Sequence, residues 1–448
     1  MRELLSGNEA VARGAWEAGV RVASAYPGTP STEILENFAR YPNVYAEWAP
    51  NEKVAVDVAV GAAYAGRRAL AAMKHVGVNV AADSVFYASM TGLEAGLVIV
   101  TADDPAMHSS QNEQDNRRYA KFARLPCLEP SDSQEAKELV GAALDLSEQF
   151  DTPVFLRLTT RICHSSTPVE LGQQAETAPP LEKFPRNPAK YVMVPSNARK
   201  KHPVIEKRID QLASFAETFA FNRVEWGERE LGIVTCGVAY QYAKEVFPRA
   251  SILRLGMTYP LPPILIHEFA AQVERLIVVE ELDPFLEEEI KLMGIDCEGK
   301  SIFPICGEFD SRVVRESAVE AGLLPASARV DLTDLEVPEL PPRPPVLCPG
   351  CPHRSVFHLL NKRRVPVAGD IGCYTLGLLP PLSAIHTCGC MGAGIGVAHG
   401  AAQAGIGERM VAVIGDSTFF HTGLPALANV AYNKSDVVTL SLDNGITG

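Results

Sequence analysis

The sequence lacks a long hydrophobic run, an apolar N-terminal segment and an excess of basic residues. Its most hydrophobic stretches, such as residues 92–101, are shorter than the roughly 20 residues that a bilayer-spanning helix needs. Residues 1–5 do not begin the apolar run of a signal peptide. The formal net charge is -13 at pH 7, which argues against nucleic acid and anionic membranes as primary partners. These absences predict a cytoplasmic protein.

The composition is that of a globular protein with a large core. The chain has 448 residues, of which 47% are hydrophobic, and this length predicts two to four domains. Half of the 10 cysteines are crowded into residues 348–390. In a cytosolic chain such crowding indicates metal or redox chemistry before disulfides. The remaining cysteines are expected to be buried structural thiols: Cys127, Cys163, Cys236, Cys297 and Cys306.

Short apolar runs alternate with helical patterns along most of the chain, which predicts an α/β protein with doubly wound, mostly parallel sheets. Residues 1–170 form the first such domain in this interpretation, and residues 231–334 form the second. A polar, Pro-rich linker at 171–230 separates them. A second linker at 335–345 carries five prolines and leads into a third domain, 346–448, which we expect to be truncated.

Several local features of the first two domains are also predicted. Thr29 and Pro30 suit the N-cap and first position of a helix, and residues 75–79 are expected to form a loop. The polar run 109–118, with Arg117 and Arg118, is expected to be a solvated loop. Residues 301–304 are expected to form a strand, and the acidic stretch 280–289 a strand end followed by a solvated helix start.

The last part of the chain predicts a βαβ unit. Apolar runs at 411–414 and 437–442 are joined by a helical pattern at 424–432. Asp416 and Asn444 follow the two strands, at the edge where open α/β sheets bind ligands. Their oxygens suit a small hard cation such as Mg²⁺, whose remaining positions can take diphosphate oxygens. The alternative is that Gly415-Asp416 forms an ordinary turn after a strand.

This spacing resembles the thiamine-diphosphate motif, which begins with Gly-Asp and closes with Asn just under thirty residues later. The resemblance implies that Asp416 and Asn444 are Mg²⁺ ligands and that the carbonyl of Ile446 is a third. Ser417 stands where the motif usually has a glycine. Gly415, Asp416 and Ser417 would then contact the cofactor.

The whole chain is similar to the thiamine-diphosphate-dependent 2-oxoacid:ferredoxin oxidoreductases, most closely to the large subunit of the indolepyruvate-oxidising branch. The resemblance covers essentially all residues and implies a pyrimidine-binding domain, a transketolase-C-like domain and a diphosphate-binding domain, in that order. The blocks that carry it, in chain order, are GNEA at 7–10, YPGTPS at 26–31, CPGCPHR at 348–354, GDIGCY at 369–374 and the unit from 415 to 448.

The resemblance implies a catalytic role for Glu52. A glutamate beside the aminopyrimidine ring favours the imino form, which takes the proton from the thiazolium carbon. Without the resemblance, Glu52 is an ordinary first-turn glutamate stabilised by the helix dipole, and Glu47 is the fallback candidate. Thr29 would lie near the substrate, with His75 and Asn79 as further neighbours. His75 is equally explained as a loop histidine with its hydrogen bonds satisfied.

The resemblance also implies that His353, Gly372 and Cys373 lie beside the cofactor. In related oxidoreductases, cysteines at the positions of Cys348, Cys351 and Cys373 ligate a [4Fe–4S] cluster. Such a cluster ordinarily needs four thiolates, and the resemblance assigns three. Cys388 and Cys390 are nearby alternatives for the fourth, although the resemblance does not assign them. A structural zinc and free thiols packed under the cofactor remain alternatives.

The activity that the resemblance implies is oxidative decarboxylation of a 2-oxoacid, an arylpyruvate such as indolepyruvate, with CoA accepting the acyl group and ferredoxin the electrons. The expected partners are a smaller beta subunit and ferredoxin, and the expected assembly is a dimer of heterodimers. One alternative is a non-oxidative thiamine-diphosphate-dependent decarboxylase, which would have no need of the crowded cysteines. Another is a non-catalytic subunit that keeps the fold.

Overall fold

The computed structural model describes residues 1–176, 179–329, 340–341 and 343–445. The chain divides into two units, Met1–Leu332 and Thr333–Gly448, and each is described by itself. None of the helices in the described residues combines the length and the apolar character that a membrane crossing requires. The division into three domains and two linkers stays a prediction.

The first unit alternates strands and helices. Its strands are β1 Arg2–Ser6, β2 Val22–Ala25, β3 Tyr45–Trp48, β4 Ala69–Lys74, β5 Leu97–Asp103, β6 Cys127–Leu128, β7 Val154–Thr159, β8 Ser166–Glu170, β9 Arg223–Glu225, β10 Glu228–Cys236, β11 Ala250–Leu255, β12 Met257–Tyr259 and β13 Arg275–Val279. Its helices are α1 Gly7–Glu17, α2 Thr32–Phe38, α3 Glu52–Tyr64, α4 His75–Thr91, α5 Asn116–Ala123, α6 Ser133–Phe150, α7 Thr160–His164, α8 Pro188–Tyr191, α9 Pro195–Ala216, α10 Ala239–Val246, α11 Pro263–Ala270, α12 Phe285–Leu292 and α13 Ser311–Glu320.

The main sheet of this unit has seven strands in the order β12-β6-β7-β5-β4-β2-β3. All neighbours are parallel except β12 and β6. Every residue of β4 is buried. Its side chains alternate between two hydrophobic cores, one on each face of the sheet: Ala69, Ala71 and Met73 pack into the first core, and Leu70 and Ala72 pack into the second. A strand covered on both faces has to be apolar throughout. The predicted doubly wound α/β sheet is therefore confirmed.

A four-stranded sheet, ordered β13-β10-β11-β9, forms the later part of the unit. The chain leaves β11 and, one residue later, adds β12 to the edge of the seven-stranded sheet, so the two sheets share one continuous segment. Helix α9, with buried Leu212 and Ala216, packs against the core of the first sheet. It lies in the segment 171–230 that was predicted to be a linker.

Two local predictions about this part of the chain are wrong. Residues 301–304 form a turn, not a strand, because the amides of Ile302 and Phe303 both donate to the carbonyl of Gly299. The run is apolar because it buries Phe303, which is 1% exposed. Cys306 was expected to be buried and is exposed, whereas the thiols of Cys127, Cys163, Cys236 and Cys297 are buried.

Arg117 was expected in a solvated loop, and this prediction is also wrong. Arg117 lies in the first turn of α5, is fully buried, and pairs with Asp115 at 2.5 Å and Glu280 at 2.6 Å. Arg157 of β7 is buried beside it and pairs with Asp103 and Glu129, each at 2.6 Å. We call these six residues the buried charge network. A buried charge is tolerated only with such partners.

Residues 280–289 contain the predicted strand end and helix start, but the helix start is not solvated, because Phe285 and Leu286 of α12 are fully buried. Glu280 follows β13 and is 1% exposed. Glu281 is buried as well, and this burial raises its pKa to about 7. Arg118 is partly exposed and pairs with Asp283 and Glu288 at the surface.

The second unit contains a smaller parallel sheet. Its strands are β14 Val367–Ala368, β15 Val411–Gly415 and β16 Val438–Leu442, and its helices are α14 His353–Lys362, α15 Ala393–Gln403, α16 Asp416–Thr418 and α17 Leu424–Tyr432. The described strands are ordered β14-β15-β16, all parallel. Helix α17 connects β15 to its neighbour β16, so the predicted βαβ unit is confirmed.

Candidate active site

In the second unit, the predicted metal ligands lie at one edge of the sheet. Asp416 follows β15 directly, and Asn444 comes two residues after the end of the adjacent parallel strand β16. The amide of Gly445 donates to Asp416 Oδ2 at 3.1 Å, so the loop after β16 contacts Asp416. Ser417 is half-buried in α16, and Ile446 lies outside the described residues. The carboxylate and amide oxygens at this edge fit a hard divalent cation.

The ring of Tyr374 fixes the shape of this edge. A Cβ at Gly415 would lie 2.3 Å from the Tyr374 ring, and one at Gly372 would lie 2.7 Å from it. Gly372 also has a φ of 153°, which side chains rarely adopt. The Tyr374 hydroxyl lies 2.7 Å from the hydroxyl of Thr418. Both glycines therefore let the Tyr374 ring pack directly against the backbone at this edge.

His353 lies at the same edge. It begins helix α14 and is 3% exposed, with its ring edge-on to that of Tyr374 at a centroid distance of 6.3 Å. Burial lowers the pKa of His353, and the nearby Asp416 carboxylate acts in the opposite direction. The structure thus places His353, Gly372, Gly415 and Asp416 around one aromatic ring.

Asp370 is a site residue to which the sequence reasoning assigned no role. It follows β14, is fully buried, and its Oδ1 accepts from the amides of Ile371 and Gly392, each at 2.8 Å. Its Oδ2 is buried and has no hydrogen-bond partner among the described residues. Burial raises the pKa of Asp370 to about 6. The sequence does contain a signal for this residue, because the pair Gly369-Asp370 follows a short strand in the same way as the pair Gly415-Asp416 does.

The cysteines in the described part of this unit do not come together as a metal site. Cys348 and Cys373 are exposed and Cys351 is half-buried. In residues 343–445 and the rest of the described chain, no three His, Cys, Asp or Glu side chains lie together as a metal-binding group. In these positions the three thiols do not fit an iron–sulfur cluster that is held by four thiolates. The [4Fe–4S] cluster stays a prediction.

In the first unit, Glu52 is the first residue of α3, after the N-cap Asn51. Its side chain is 6% exposed and rests on the N-terminal turn of α4, where a Cβ at Gly77 would lie 2.6 Å from Glu52 Oε1. The fallback candidate Glu47 is only half-buried and accepts a hydrogen bond from the Tyr45 hydroxyl at 2.5 Å. Burial distinguishes the two carboxylates and favours Glu52.

His75 is not in a loop, because β4 ends at Lys74 and α4 begins at His75 without an intervening segment. His75 is fully buried, with Nε2 3.1 Å from the carbonyl of Asn112. Its Nδ1 is buried and has no partner within the described chain. One of the two ring nitrogens of His75 therefore has a hydrogen-bond partner in the described chain, and the other has none. Asn79 is exposed and accepts from the Tyr119 hydroxyl at 2.6 Å.

Thr29 lies exposed in the loop between β2 and α2, and the prediction that it caps the helix is wrong. Helix α2 begins at Thr32, after Ser31. The Thr32 hydroxyl accepts from the Gly28 amide at 2.9 Å, and the Ser31 hydroxyl donates to the Gly28 carbonyl at 3.0 Å. These two later hydroxyls hold the turn, which leaves the Thr29 side chain available at the carboxyl end of the sheet.

Comparison with known proteins defines the class. Residues 13–217 match the family model described as pyruvate flavodoxin/ferredoxin oxidoreductase, thiamine diphosphate-binding. Residues 370–448 match the thiamine pyrophosphate enzyme C-terminal binding domain. These are the two parts of a thiamine-diphosphate-dependent oxidoreductase.

Curated relatives define the family within that class. The chain is 44% identical to indolepyruvate oxidoreductase subunit IorA of Archaeoglobus fulgidus, over 99% of this chain and 75% of that protein. It is 43% identical to the Pyrococcus horikoshii IorA over 99% of this chain and 74% of that one. The chain belongs to the IorA family of thiamine-diphosphate-dependent 2-oxoacid:ferredoxin oxidoreductases. The resemblance seen in the sequence, and with it thiamine diphosphate as cofactor, is confirmed.

A solved structure supports the fold. The 2-oxoglutarate:ferredoxin oxidoreductase from Magnetococcus marinus aligns with a TM-score of 0.59 over 71% of this chain and 65% of that chain, at 18% identity. At this level of identity the likeness concerns the fold alone.

Replacing Asp416 by Asn is expected to weaken Mg²⁺ binding. The change removes a negative charge from the ligand set, and affinity should fall by at least the roughly 10- to 100-fold that loss of an outer-shell partner causes. Mg²⁺-dependent binding of thiamine diphosphate, followed by calorimetry, measures this. Asp436→Asn is the control, since Asp436 is exposed and pairs with Arg409. Equal metal affinity in both variants would remove Asp416 from the ligand set.

A Gly77→Ala variant is expected to displace the Glu52 carboxyl, because the new Cβ would lie within 3 Å of three Glu52 atoms. Activity should fall by about 10²-fold, the scale of a small misplacement of a reacting group. The matched control is Gly61→Ala in α3, where a Cβ meets no atom within 4 Å. Steady-state rates at equal bound thiamine compare the two. Unchanged rates for Gly77→Ala would show that the Glu52 position is not critical.

Proposed function

We propose that the chain catalyses the oxidative decarboxylation of a 2-oxoacid, an arylpyruvate such as indolepyruvate, to an acyl-CoA and CO₂, with electrons passed to ferredoxin. The observation that carries the proposal is the buried Glu52 carboxyl against the first turn of α4, in a chain of the IorA family. The names of the relatives support indolepyruvate as the substrate.

The residues have distinct roles in this proposal. When bound, thiamine diphosphate supplies a carbon nucleophile for 2-oxo groups. Glu52 holds and returns a proton at its carboxyl group, in a setting that excludes water. Asp416 and Asn444 hold Mg²⁺ and, through it, the diphosphate, with the carbonyl of Ile446 as a third ligand. Thr29 and His75 contact the substrate.

The proposal includes the partners expected for such a subunit. A smaller beta subunit completes the enzyme, a dimer of such heterodimers is the expected assembly, and the site of action is the cytoplasm. The relatives' designation as subunits supports the first of these. A [4Fe–4S] cluster at Cys348, Cys351 and Cys373 is tested by iron and sulfide analysis of the anaerobically purified protein. About four iron per thiamine would support it.

The test is an anaerobic assay of the chain together with its smaller subunit. Ferredoxin reduction that requires both an arylpyruvate and CoA is the expected result. Release of CO₂ and aldehyde without ferredoxin reduction would favour a simple decarboxylase instead. Bound thiamine diphosphate without any turnover would favour a non-catalytic subunit.

A further inference from the structure

Lys74 is a buried lysine at the carboxyl end of a central strand. It is the last residue of β4, which lies between β2 and β5 in the seven-stranded sheet, and it is 9% exposed. A Cβ at Gly28 would lie 3.2 Å from Lys74 Cβ, so the side chain passes beside the loop after β2. Its ammonium donates to the carbonyl of Ser109, in the loop after β5. Lys74 therefore lies between two loops at the ligand-binding edge of the sheet.

The charge of Lys74 is only partly compensated. Within the described chain, no carboxylate oxygen lies within 4.0 Å of the Lys74 ammonium nitrogen, which is the limit for an ion pair. Asp104, the acid that acts on it electrostatically, already accepts from the Ser109 amide at 2.8 Å, the Ser110 hydroxyl at 2.5 Å and the Thr160 hydroxyl at 2.7 Å. An ammonium can donate three hydrogen bonds, and here one goes to a protein carbonyl.

Two other buried cations of this unit are compensated differently. Arg117 and Arg157 in the buried charge network each lie within ion-pair distance of three carboxylates. Burial lowers the pKa of Lys74, and Asp104 acts in the opposite direction. Keeping a cation in such a place without an ion-pair partner costs free energy. An anionic ligand that reaches this position would recover that cost.

The position also relates Lys74 to the proposed proton-transfer site. Gly77, against which the Glu52 carboxyl rests, is three residues further along the chain, in the first turn of α4. Lys74 is the N-cap of this helix, so it directly precedes the turn that contains Gly77. Lys74 is thus about one helical turn from the Glu52 contact. The carboxylate of a 2-oxoacid is bonded directly to the carbon that reacts, so a group that binds it has to lie this close.

We propose that Lys74 binds the carboxylate of the 2-oxoacid substrate and determines the preference for acids over neutral carbonyl compounds. The inference rests on the proposed function. The Lys74 ammonium exchanges its bond to Ser109 for one to a substrate carboxylate oxygen. Its long stem makes this movement possible, and a carboxylate oxygen carries the full negative charge that the Ser109 carbonyl lacks. The carboxylate is present before CO₂ leaves, so this contact acts mainly on binding.

The test uses the enzyme assembled with its smaller subunit, in wild-type, Lys74→Met, Lys74→Arg and Lys207→Met forms. Lys207 is an exposed lysine of α9 and serves as the matched control. KM and kcat are measured with an arylpyruvate. Binding of an unreactive arylpropionate and of its primary amide is measured by calorimetry. The amide has the shape of the acid without its charge.

Lys74→Met is expected to raise KM by about 10- to 100-fold, the range for loss of a hydrogen bond to a charged group, with kcat changed by less than about threefold. It should also abolish the preference for the acid over the amide, while Lys74→Arg and Lys207→Met keep it. Bound thiamine should be the same in all four forms.

Other outcomes overturn the inference. If Lys74→Met weakens the acid and the amide equally, Lys74 only holds the Ser109 loop. If neither KM nor the preference changes, the carboxylate binds elsewhere. Should Lys74→Met fail to fold, Lys74→Gln gives the same comparison. If the wild type turns over no 2-oxoacid, the proposed function fails, and a preference for the acid that depends on Lys74 would still support the binding site.

Discussion

A Glu52→Gln variant is expected to lose activity by about 10²- to 10⁴-fold, the usual contribution of a positioned acid–base group. The amide has the shape of the carboxyl group and fits the same space against Gly77, so the fold and the bound thiamine diphosphate should be retained. It cannot accept and return a proton. The loss should therefore appear in kcat, with little change in the KM for the 2-oxoacid. Steady-state kinetics at a measured thiamine content separate these effects.

Glu47→Gln is the matched control for this experiment. Glu47 is only five residues away in sequence, but it lies half-buried on β3 and accepts a hydrogen bond from Tyr45. Its replacement is expected to change activity by less than about threefold, as for a partly exposed group outside the reaction. Full activity in Glu52→Gln together with a large loss in Glu47→Gln would exchange the roles of the two residues. Loss of thiamine from Glu52→Gln would assign Glu52 to cofactor binding alone.

The sequence predicted elements whose identity is encoded locally. Strand β4 is encoded locally, because a strand covered on both faces is apolar over most of its length and residues 69–73 are all apolar. The hydrogen bonds between Ser6 and Glu9 at the start of α1 are also encoded locally, since the two residues are three positions apart. Asp416 and Asn444 were located in the same way, as the polar residues that follow two apolar runs.

Features that depend on distant partners were missed. Arg117 pairs with Glu280, 163 residues away, and nothing near either residue in the sequence predicts that contact. A polar run and an acidic run each look solvated when read alone, although here they bury each other's charge. The burial of Lys74 and the unpaired Oδ2 of Asp370 arise in the same way, from how loops after different strands come together. The burial of such groups can be inferred only once the order of the strands in the sheet is known.

The buried charge network also predicts a large effect on stability. Arg117→Met is expected to lower the free energy of unfolding of the first unit by about 3–5 kcal/mol, the cost of removing one partner of a buried ion pair. The loss arises because Glu280 stays buried without its ion-pair partner and Asp115 loses the nearer of its two arginines. Burial acts to raise the pKa of Asp115, and the two arginines hold it well below its ordinary value. Urea denaturation followed by fluorescence measures the change.

Arg118→Met is the control for this prediction, because the neighbouring arginine pairs with Asp283 and Glu288 at the surface. It should cost no more than about 1 kcal/mol. Equal losses in the two variants would mean that the loss comes from α5 itself and not from burial of charge.

A second substitution identifies the cause of the Arg117→Met effect. Adding Asp115→Asn removes a carboxylate that has lost its nearest cation and should recover part of the loss, whereas adding Asp283→Asn should not. The same variants connect stability with function. Asp115 caps the helix that ends the loop containing Ser109 and Asn112, and these two residues contact Lys74 and His75. Arg117→Met should therefore also raise the KM for the 2-oxoacid, because the network holds the loop against the carboxyl end of β4.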